Sequence, residues 1–151
     1  MNKIEKIIIH HTAVSYQVQP EQFWIVNEYH RQLWNFKSNL NLYGGYNYII
    51  SADGTIKQYR EDGEETAATK GQNFDSIQIA LCGNFDIERP TVNQIISLKA
   101  LILKKMTQYA IHPNNIFGHR IYANYKSCPG LLWKESELRA LFQPDISYYQ
   151  N

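Results

Sequence analysis

The sequence is short of the features that mark several protein classes. Only two of its 151 residues are cysteine, Cys82 and Cys128, which is too few for a disulfide framework, although the two could pair in an oxidising compartment. No apolar run approaches the roughly 20 residues that span a bilayer, so no membrane insertion is expected. The amino terminus, Met1-Asn2-Lys3-Ile4-Glu5-Lys6, has no apolar core segment and no small-residue cleavage site. It therefore carries no signal peptide, which predicts synthesis in the cytoplasm. Net charge is nearly absent, with 15 Lys and Arg against 14 Asp and Glu, giving +1. That excludes the strong basic excess of a nucleic-acid binder and any electrostatic pull toward an anionic membrane. Repeats, linkers and low-complexity stretches are also missing.

What is present is the composition of a globular chain, 44% hydrophobic and 19% charged. A chain of this length fits one domain that buries a core without metal or disulfide staples. Tyrosine is abundant at 11 residues, beside six Phe and three Trp. Aromatics stack on sugars, but they also fill cores.

Periodicity predicts the elements. Ile7-Ile8-Ile9 is a short continuous apolar run, as in a strand covered on both faces. Pro20 suits the first turn of a helix, and Phe23, Val26, Tyr29, His30, Leu33 and Trp34 continue it at three- and four-residue steps to about Phe36. A loop containing Asn39, Asn41, Gly44 and Gly45 follows. Tyr46 to Ser51 and Thr55 to Tyr59 flank Asp53-Gly54, a hairpin signal. The polar stretch from Glu61 to Asp75 reads as irregular, and Ser76 to Cys82 as a buried strand closed by Gly83-Asn84. Thr91 with Gln94 three residues later forms a capping box for a helix striped by Val92, Ile95, Leu98, Leu101, Ile102, Met106 and Tyr109. Ile116 to Gly118 is a short strand, and Leu131 to Phe142 a last helix ended by Pro144, with a loose tail. The order of elements predicts an α/β domain with a central mixed sheet flanked by helices.

Five histidines stand at positions 10, 11, 30, 112 and 119. His10 follows directly on the first strand, His119 ends another, and Cys128 comes nine residues later in Lys126-Ser127-Cys128-Pro129-Gly130. Two His and one Cys make a three-ligand zinc set with a fourth position open, the pattern of a catalytic rather than a structural site. His11 is a poor fourth ligand, because alternation along a strand turns it to the opposite face. Ligands spread over the whole chain make spacing a weak signal by itself. Taken alone, Tyr46 reads as core, Lys126 as a solvated loop lysine and Cys82 as a small buried hydrophobe. Trp24, Trp34 and Trp133 read as helix residues engaged in packing, and His30 and His112 receive no role.

Five segments acquire meaning together: Ile8-Ile9-His10-His11-Thr12-Ala13, Gly45-Tyr46-Asn47-Tyr48-Ile49-Ile50, Ser76-Ile77-Gln78-Ile79-Ala80-Leu81, Phe117-Gly118-His119-Arg120 and Lys126-Ser127-Cys128-Pro129-Gly130. In this order they resemble the signature segments of type 2 N-acetylmuramoyl-L-alanine amidases, a class that includes phage lysozyme-like amidases and animal peptidoglycan recognition proteins. The resemblance runs from about Ile7 to Leu141. It implies a peptidoglycan recognition protein-like fold in an amidase domain over residues 1–142, with residues 143–151 as a tail. It implies one Zn2+ per chain on His10, His119 and Cys128, an orienting Tyr46 beside the attacking water, a cationic Lys126 near the scissile carbonyl and a substrate contact at Asn73. The implied reaction is hydrolysis of the amide between N-acetylmuramic acid and L-alanine. The expected partner is peptidoglycan or a muropeptide, and the expected state is a monomer. The alternatives are a binding module of the same fold that does not cut, and a zinc-stabilised structural domain. Cys128, present with both histidines, favours cutting, since some members of the class lack the cysteine and only bind. The sequence departs from the class at Ala68, where many members have histidine, at Ile121, where aspartate is usual, and over Tyr122 to Tyr125. Without a signal peptide or a wall-binding module, the expectation is a lysin acting on the wall after release or export, or an enzyme of soluble wall fragments in the cytoplasm.

Overall fold

The computed structural model describes residues 3–142. The expected tail, 143–151, lies outside the described residues, as does Pro144.

Five strands form one mixed sheet in the order β3-β2-β4-β1-β5. β1 (Lys6–His11) lies between β4 (Ser76–Leu81) and β5 (Ile116–Gly118) and is parallel to both. β2 (Tyr48–Ile50) is parallel to β4, and β3 (Ile56–Gln58) closes the edge antiparallel to β2. Parallel strands need both faces covered, and the sequence supplies unbroken apolar runs for it: Ile7, Ile8, Ile9, Ile77 and Ile79 are fully buried.

The two faces have different covers. On one, Ile7, Ile9, Ile50, Ile79 and Leu81 pack with Leu98, Leu101 and Ile102 of α2 (Val92–Tyr109) and with Leu138 of α3 (Glu135–Ala140). On the other, Ile49, Ala80 and Cys82 pack with Phe23 and Val26 of α1 (Phe23–Trp34). Thr91 caps α2 as its spacing predicts: its hydroxyl accepts from Gln94 N at 3.0 Å, and Gln94 Oε1 accepts from Thr91 N at 3.0 Å. Beyond the core, a buried polar knot ties α2 to the segment after β3. Lys105 Nζ donates to Asp62 Oδ2 at 2.5 Å, and Tyr48 and Tyr109 donate to the same carboxylate, each at 2.7 Å.

Several expectations are corrected. α1 begins at Phe23 rather than Pro20, because the residues before it are engaged elsewhere: Pro20 O accepts from Ala52 N, and the Gln22 side chain donates to Val14 O and Gln19 O. Its inner face is Phe23, Val26, Asn27 and His30, leaving Tyr29 and Leu33 exposed. The last helix begins at Glu135 rather than Leu131, since Leu131 N donates to Asp86 Oδ1 and Leu132 N to Phe85 O, which fixes that stretch as a turn. Trp133 therefore packs, edge-on to Phe85, from outside a helix, whereas Trp24 and Trp34 are on α1 but stand exposed. The hairpin forms around Asp53-Gly54 with strands of only three residues each. No described helix is long and apolar enough to cross a membrane.

Candidate active site and metal centre

Parallel strands deliver their carboxyl ends to one rim, and a crevice outside those ends is the usual place for a site in an open α/β sheet. Here the rim opens into a cleft of about 730 Å³ that includes His10, Tyr46, His119, Lys126 and Cys128 among its lining residues. Strand register places the first two histidines. Ile9 is opposite Gly118, so the next residues, His10 and His119, leave neighbouring strand ends together. Their ring centroids are 4.5 Å apart. Cys128 arrives on a loop whose carbonyl accepts from Arg120 N at 2.8 Å, which ties it to the turn carrying His119. Gly130 fits this loop because it adopts φ +134° and because a Cβ there would lie 2.5 Å from Phe85 backbone. Asp86 pins the loop from below, accepting from Ser127 Oγ at 3.1 Å and Leu131 N at 2.8 Å.

The ligand atoms of His10, His119 and Cys128 all lie within 4.8 Å of one another, and all three residues are buried. His10 Nδ1 is 3.7 Å from Cys128 Sγ. Bonds of about 2.0 Å to nitrogen and 2.3 Å to sulfur at a tetrahedral angle put N and S roughly 3.5 Å apart, so the pair is spaced for one small cation. The other nitrogen of His10 is engaged. Gln78 Oε1 accepts from His10 Nε2 at 2.6 Å and from Thr69 Oγ1 at 3.0 Å, while Gln78 Nε2 donates to Ser76 Oγ at 2.8 Å. The Gln78 amide is thus fixed with its oxygen toward His10, the proton sits on Nε2, and Nδ1 presents its lone pair to the cluster.

Electrostatics suit the same purpose. Burial pushes the His10 imidazole well below its ordinary pKa, and repulsion from His119 adds to the effect. Burial likewise lowers His119 to about 4, helped by the Lys126 charge. Both rings are therefore neutral at pH 7. Burial raises the Cys128 thiol to about 12, so the sulfur ionises only when a cation is there to stabilise it. Two neutral imidazoles and one such thiol form a donor set matched to a borderline-soft cation such as zinc.

The remaining expected residues are placed as follows. Tyr46 lines the cleft with its ring 5.1 Å from that of His10, and burial raises its phenol further above its ordinary pKa, with Cys128 adding to the shift. Lys126 is exposed on the cleft wall. Asn73 lines the cleft, but its Oδ1 already accepts from Thr66 Oγ1, Ala68 N and Thr69 N at 2.9–3.0 Å. It shapes the 66–69 loop, and only its amide nitrogen is left for a substrate. His11 turns to the other face, where its Nδ1 accepts from Phe85 N at 3.0 Å. His112 accepts from Asn114 N outside the cleft, and Cys82 is buried.

Two participants escape the sequence reading. Gln78 is a polar residue between Ile77 and Ile79 in an apolar strand, and that interruption is the signal available. His30 is the other. Its Nδ1 accepts from Gly45 N at 2.7 Å, and Asn27 on the same helix face accepts from Tyr43 N and Gly44 N. Together they hold the backbone that leads into Tyr46. The His30 ring lies in the cleft, 5.5 Å from Tyr46 and 4.6 Å from Trp34. Burial lowers it to about 4, so it too is neutral.

Comparison with known proteins shows which family the chain is similar to. A solved structure of the N-acetylmuramoyl-L-alanine amidase LysC from Clostridium intestinale URNW superposes with a TM-score of 0.73 at 29% identity, covering 92% of this chain and 85% of that one. Peptidoglycan-recognition protein SC2 of Drosophila melanogaster is 29% identical over 140 residues, 89% of this chain and 73% of its own length. The endolysin of Klebsiella phage KP32 is 29% identical over 103 residues, 62% of this chain and 66% of its own length. The family model described as N-acetylmuramoyl-L-alanine amidase matches residues 1–131, and the chain belongs to that family.

Proposed function

We propose that this chain is a zinc-dependent amidase that hydrolyses the bond between N-acetylmuramic acid and L-alanine in peptidoglycan or its soluble fragments. The observation that carries the proposal is the convergence of His10, His119 and Cys128 within 4.8 Å in an open cleft, with a tyrosine and a lysine lining it. Those three side chains would hold one Zn2+. Zinc so held would supply Lewis acidity and would bring water to nucleophilic strength near neutral pH.

The chain's own groups handle the amide. Water adds to the carbonyl carbon, the C–N bond breaks, and the proton taken from water ends on the departing L-alanine nitrogen. The Lys126 ammonium stabilises the charge that grows on the carbonyl oxygen. Tyr46 keeps its proton at neutral pH, so it works as a hydrogen-bond donor that orients water or the tetrahedral oxygen, not as a base. Gln78 keeps the His10 proton on Nε2. The Asn73 amide nitrogen offers a contact to the substrate. We further propose that the chain works as a monomer, either as a lysin on the wall after release or export, or on soluble fragments.

A second reading is a module that binds muropeptide without cutting it, favoured by the likeness to a peptidoglycan-recognition protein. Incubating the zinc-loaded protein with purified sacculi and with soluble muropeptides, followed by mass analysis, separates the two. The amidase releases stem peptides with free L-alanine amino termini and is stopped by a chelator. The binding module retains substrate and releases nothing.

A further inference from the structure

His119 enters the cleft from a single 3-10 turn, His119–Ile121, just beyond the end of β5. One carboxylate holds both of its chain neighbours. Glu135, the first residue of α3, accepts from Gly118 N through Oε1 at 2.8 Å. Its Oε2 lies 3.3 Å from Arg120 Nε. Gly118 precedes His119 and Arg120 follows it, so the carboxylate spans the ligand.

The grip is close and dry. Oε2 and Nε are both buried, and neither has a hydrogen-bond partner among the described residues. Each charge therefore answers chiefly to the other. The guanidinium is aimed by a bond from Nη2 to Trp133 O at 2.5 Å. Gly118 leaves room for the approach: a Cβ there would lie 2.4 Å from Glu135 Oε2 and 2.7 Å from Pro129 Cδ.

The same turn carries the tie to the sulfur ligand. Arg120 N donates to Cys128 O at 2.8 Å, and Pro129, next to Cys128, sits against Gly118. A side chain of α3 thus braces two ligand-bearing segments at once. A buried ion pair is a poor source of stability, because desolvation offsets the attraction. α3 also offers a contrast, since Glu137 is paired with Arg89 at the exposed surface, far from any ligand in its bonding. Glu135 does not line the cleft, so it acts only through the residues it holds.

We propose that Glu135 is a positioning residue of the metal centre. It clamps the His119 turn through Gly118 and Arg120, and so holds the imidazole and the Cys128 sulfur at one spacing. The inference rests on the zinc reading, because it takes a bound ion as what the spacing serves.

The test measures zinc affinity of the full chain by competition with a chromophoric chelator, and visible absorption with cobalt(II) in place of zinc, which reports ligand geometry. Glu135→Ala should weaken zinc binding about tenfold, as losses outside the ligand shell typically do, and should shift the cobalt bands. The stabilisation gained from excess zinc should shrink by about 1.4 kcal/mol, that factor of ten as free energy. A merely structural residue would lower the stability of the metal-free and loaded forms alike and leave this gain intact. Glu135→Gln keeps an acceptor for Gly118 N but not the charge facing Arg120, and its affinity should fall between Glu135→Ala and the parent. Glu137→Ala should match the parent. Parental affinity and cobalt bands in Glu135→Ala, or an equal loss in Glu137→Ala, overturn the clamp and leave the zinc reading standing. Should Glu135→Ala not fold, Glu135→Gln decides in the same way: weaker binding with shifted bands supports the clamp, and parental values overturn it. A parent chain that takes up neither metal overturns the zinc reading and the clamp with it.

Discussion

Gln78 Oε1 accepts from His10 Nε2 at 2.6 Å, and this one bond fixes which nitrogen of His10 faces the Cys128 sulfur. A side chain on β4 thus sets the donor presented by the end of β1. The parallel register that places Gln78 opposite Ile8, two residues before His10 on the same face, makes it possible. Replacing Gln78 with Leu removes the acceptor, frees the imidazole to take the other tautomer and leaves the Thr69 hydroxyl without its partner. Such outer-shell losses typically cost about 10–100-fold in metal affinity. Competition with a chromophoric chelator should show a drop of that size in Gln78→Leu, while circular dichroism stays native. An unchanged affinity would show that the bond does not matter to the centre.

Lys126 and Cys128 should separate metal from turnover. Cys128→Ala removes the only sulfur of the cluster and should abolish both bound zinc and hydrolysis. Lys126→Ala should keep its zinc and slow kcat/KM by roughly 100–1,000-fold, the usual loss for one oxyanion donor, about 3–4 kcal/mol. Elemental analysis beside a kinetic assay of both variants checks this. Native turnover in Lys126→Ala would remove the role assigned to its ammonium.

Metal affinity should depend on pH in a defined direction. His119 is held at about 4 and His10 well below its ordinary value, so both are neutral above pH 6 and release nothing on binding. The Cys128 thiol, pushed up to about 12, must lose its proton to become a ligand. Apparent affinity should therefore rise about tenfold per pH unit between roughly pH 6 and 8, with about one proton released from the protein per ion. Calorimetry in buffers of different ionisation enthalpy counts those protons. A flat profile would mean that the thiol is already ionised in the free protein.

Elements with a strong local signal are legible in the amino-acid sequence. The Ile7–Ile9 run, the Ser76–Cys82 strand and the Thr91–Gln94 capping box each carry one, and each forms with its boundary within a residue or two. His11 turns away as strand alternation requires. Local pattern does not supply long-range hydrogen bonding. Leu131 and Leu132 have helical periodicity, but their amides are taken by Asp86 and Phe85, which lie more than 40 residues earlier in the chain. Trp34 reads as packing because hydrophobicity does not say that one side of α1 borders an open cleft. His30 carries no local sign of its role, and Gln78 only its polarity within an apolar strand, because their partners, Gly45 N and His10 Nε2, are set by tertiary contact.

The Asp62–Lys105 pair predicts how the fold responds to acid. Burial acts to raise the Asp62 pKa, but hydrogen bonds from Lys105, Tyr48 and Tyr109 outweigh it and hold the carboxyl below its ordinary value. A carboxyl depressed in the folded state contributes stability that is fully present above the unfolded pKa of about 3.9 and is lost as pH falls through the folded value. Denaturant midpoints should hold steady above about pH 5 and fall below pH 4. Asp62→Asn should flatten that decline. Lys105→Met strands a buried carboxylate and should cost about 3–5 kcal/mol at pH 7, with much of the loss recovered in the double variant. A Lys105→Met protein as stable as the parent would show the pair to be dispensable.

The most direct test of the central claim is X-ray absorption at the zinc edge on the metal-loaded protein. Ligation by His10, His119 and Cys128 predicts one sulfur at about 2.3 Å and two imidazole nitrogens at about 2.0 Å, with the remaining position filled by a light atom. A first shell without sulfur, or with two sulfurs, would contradict it.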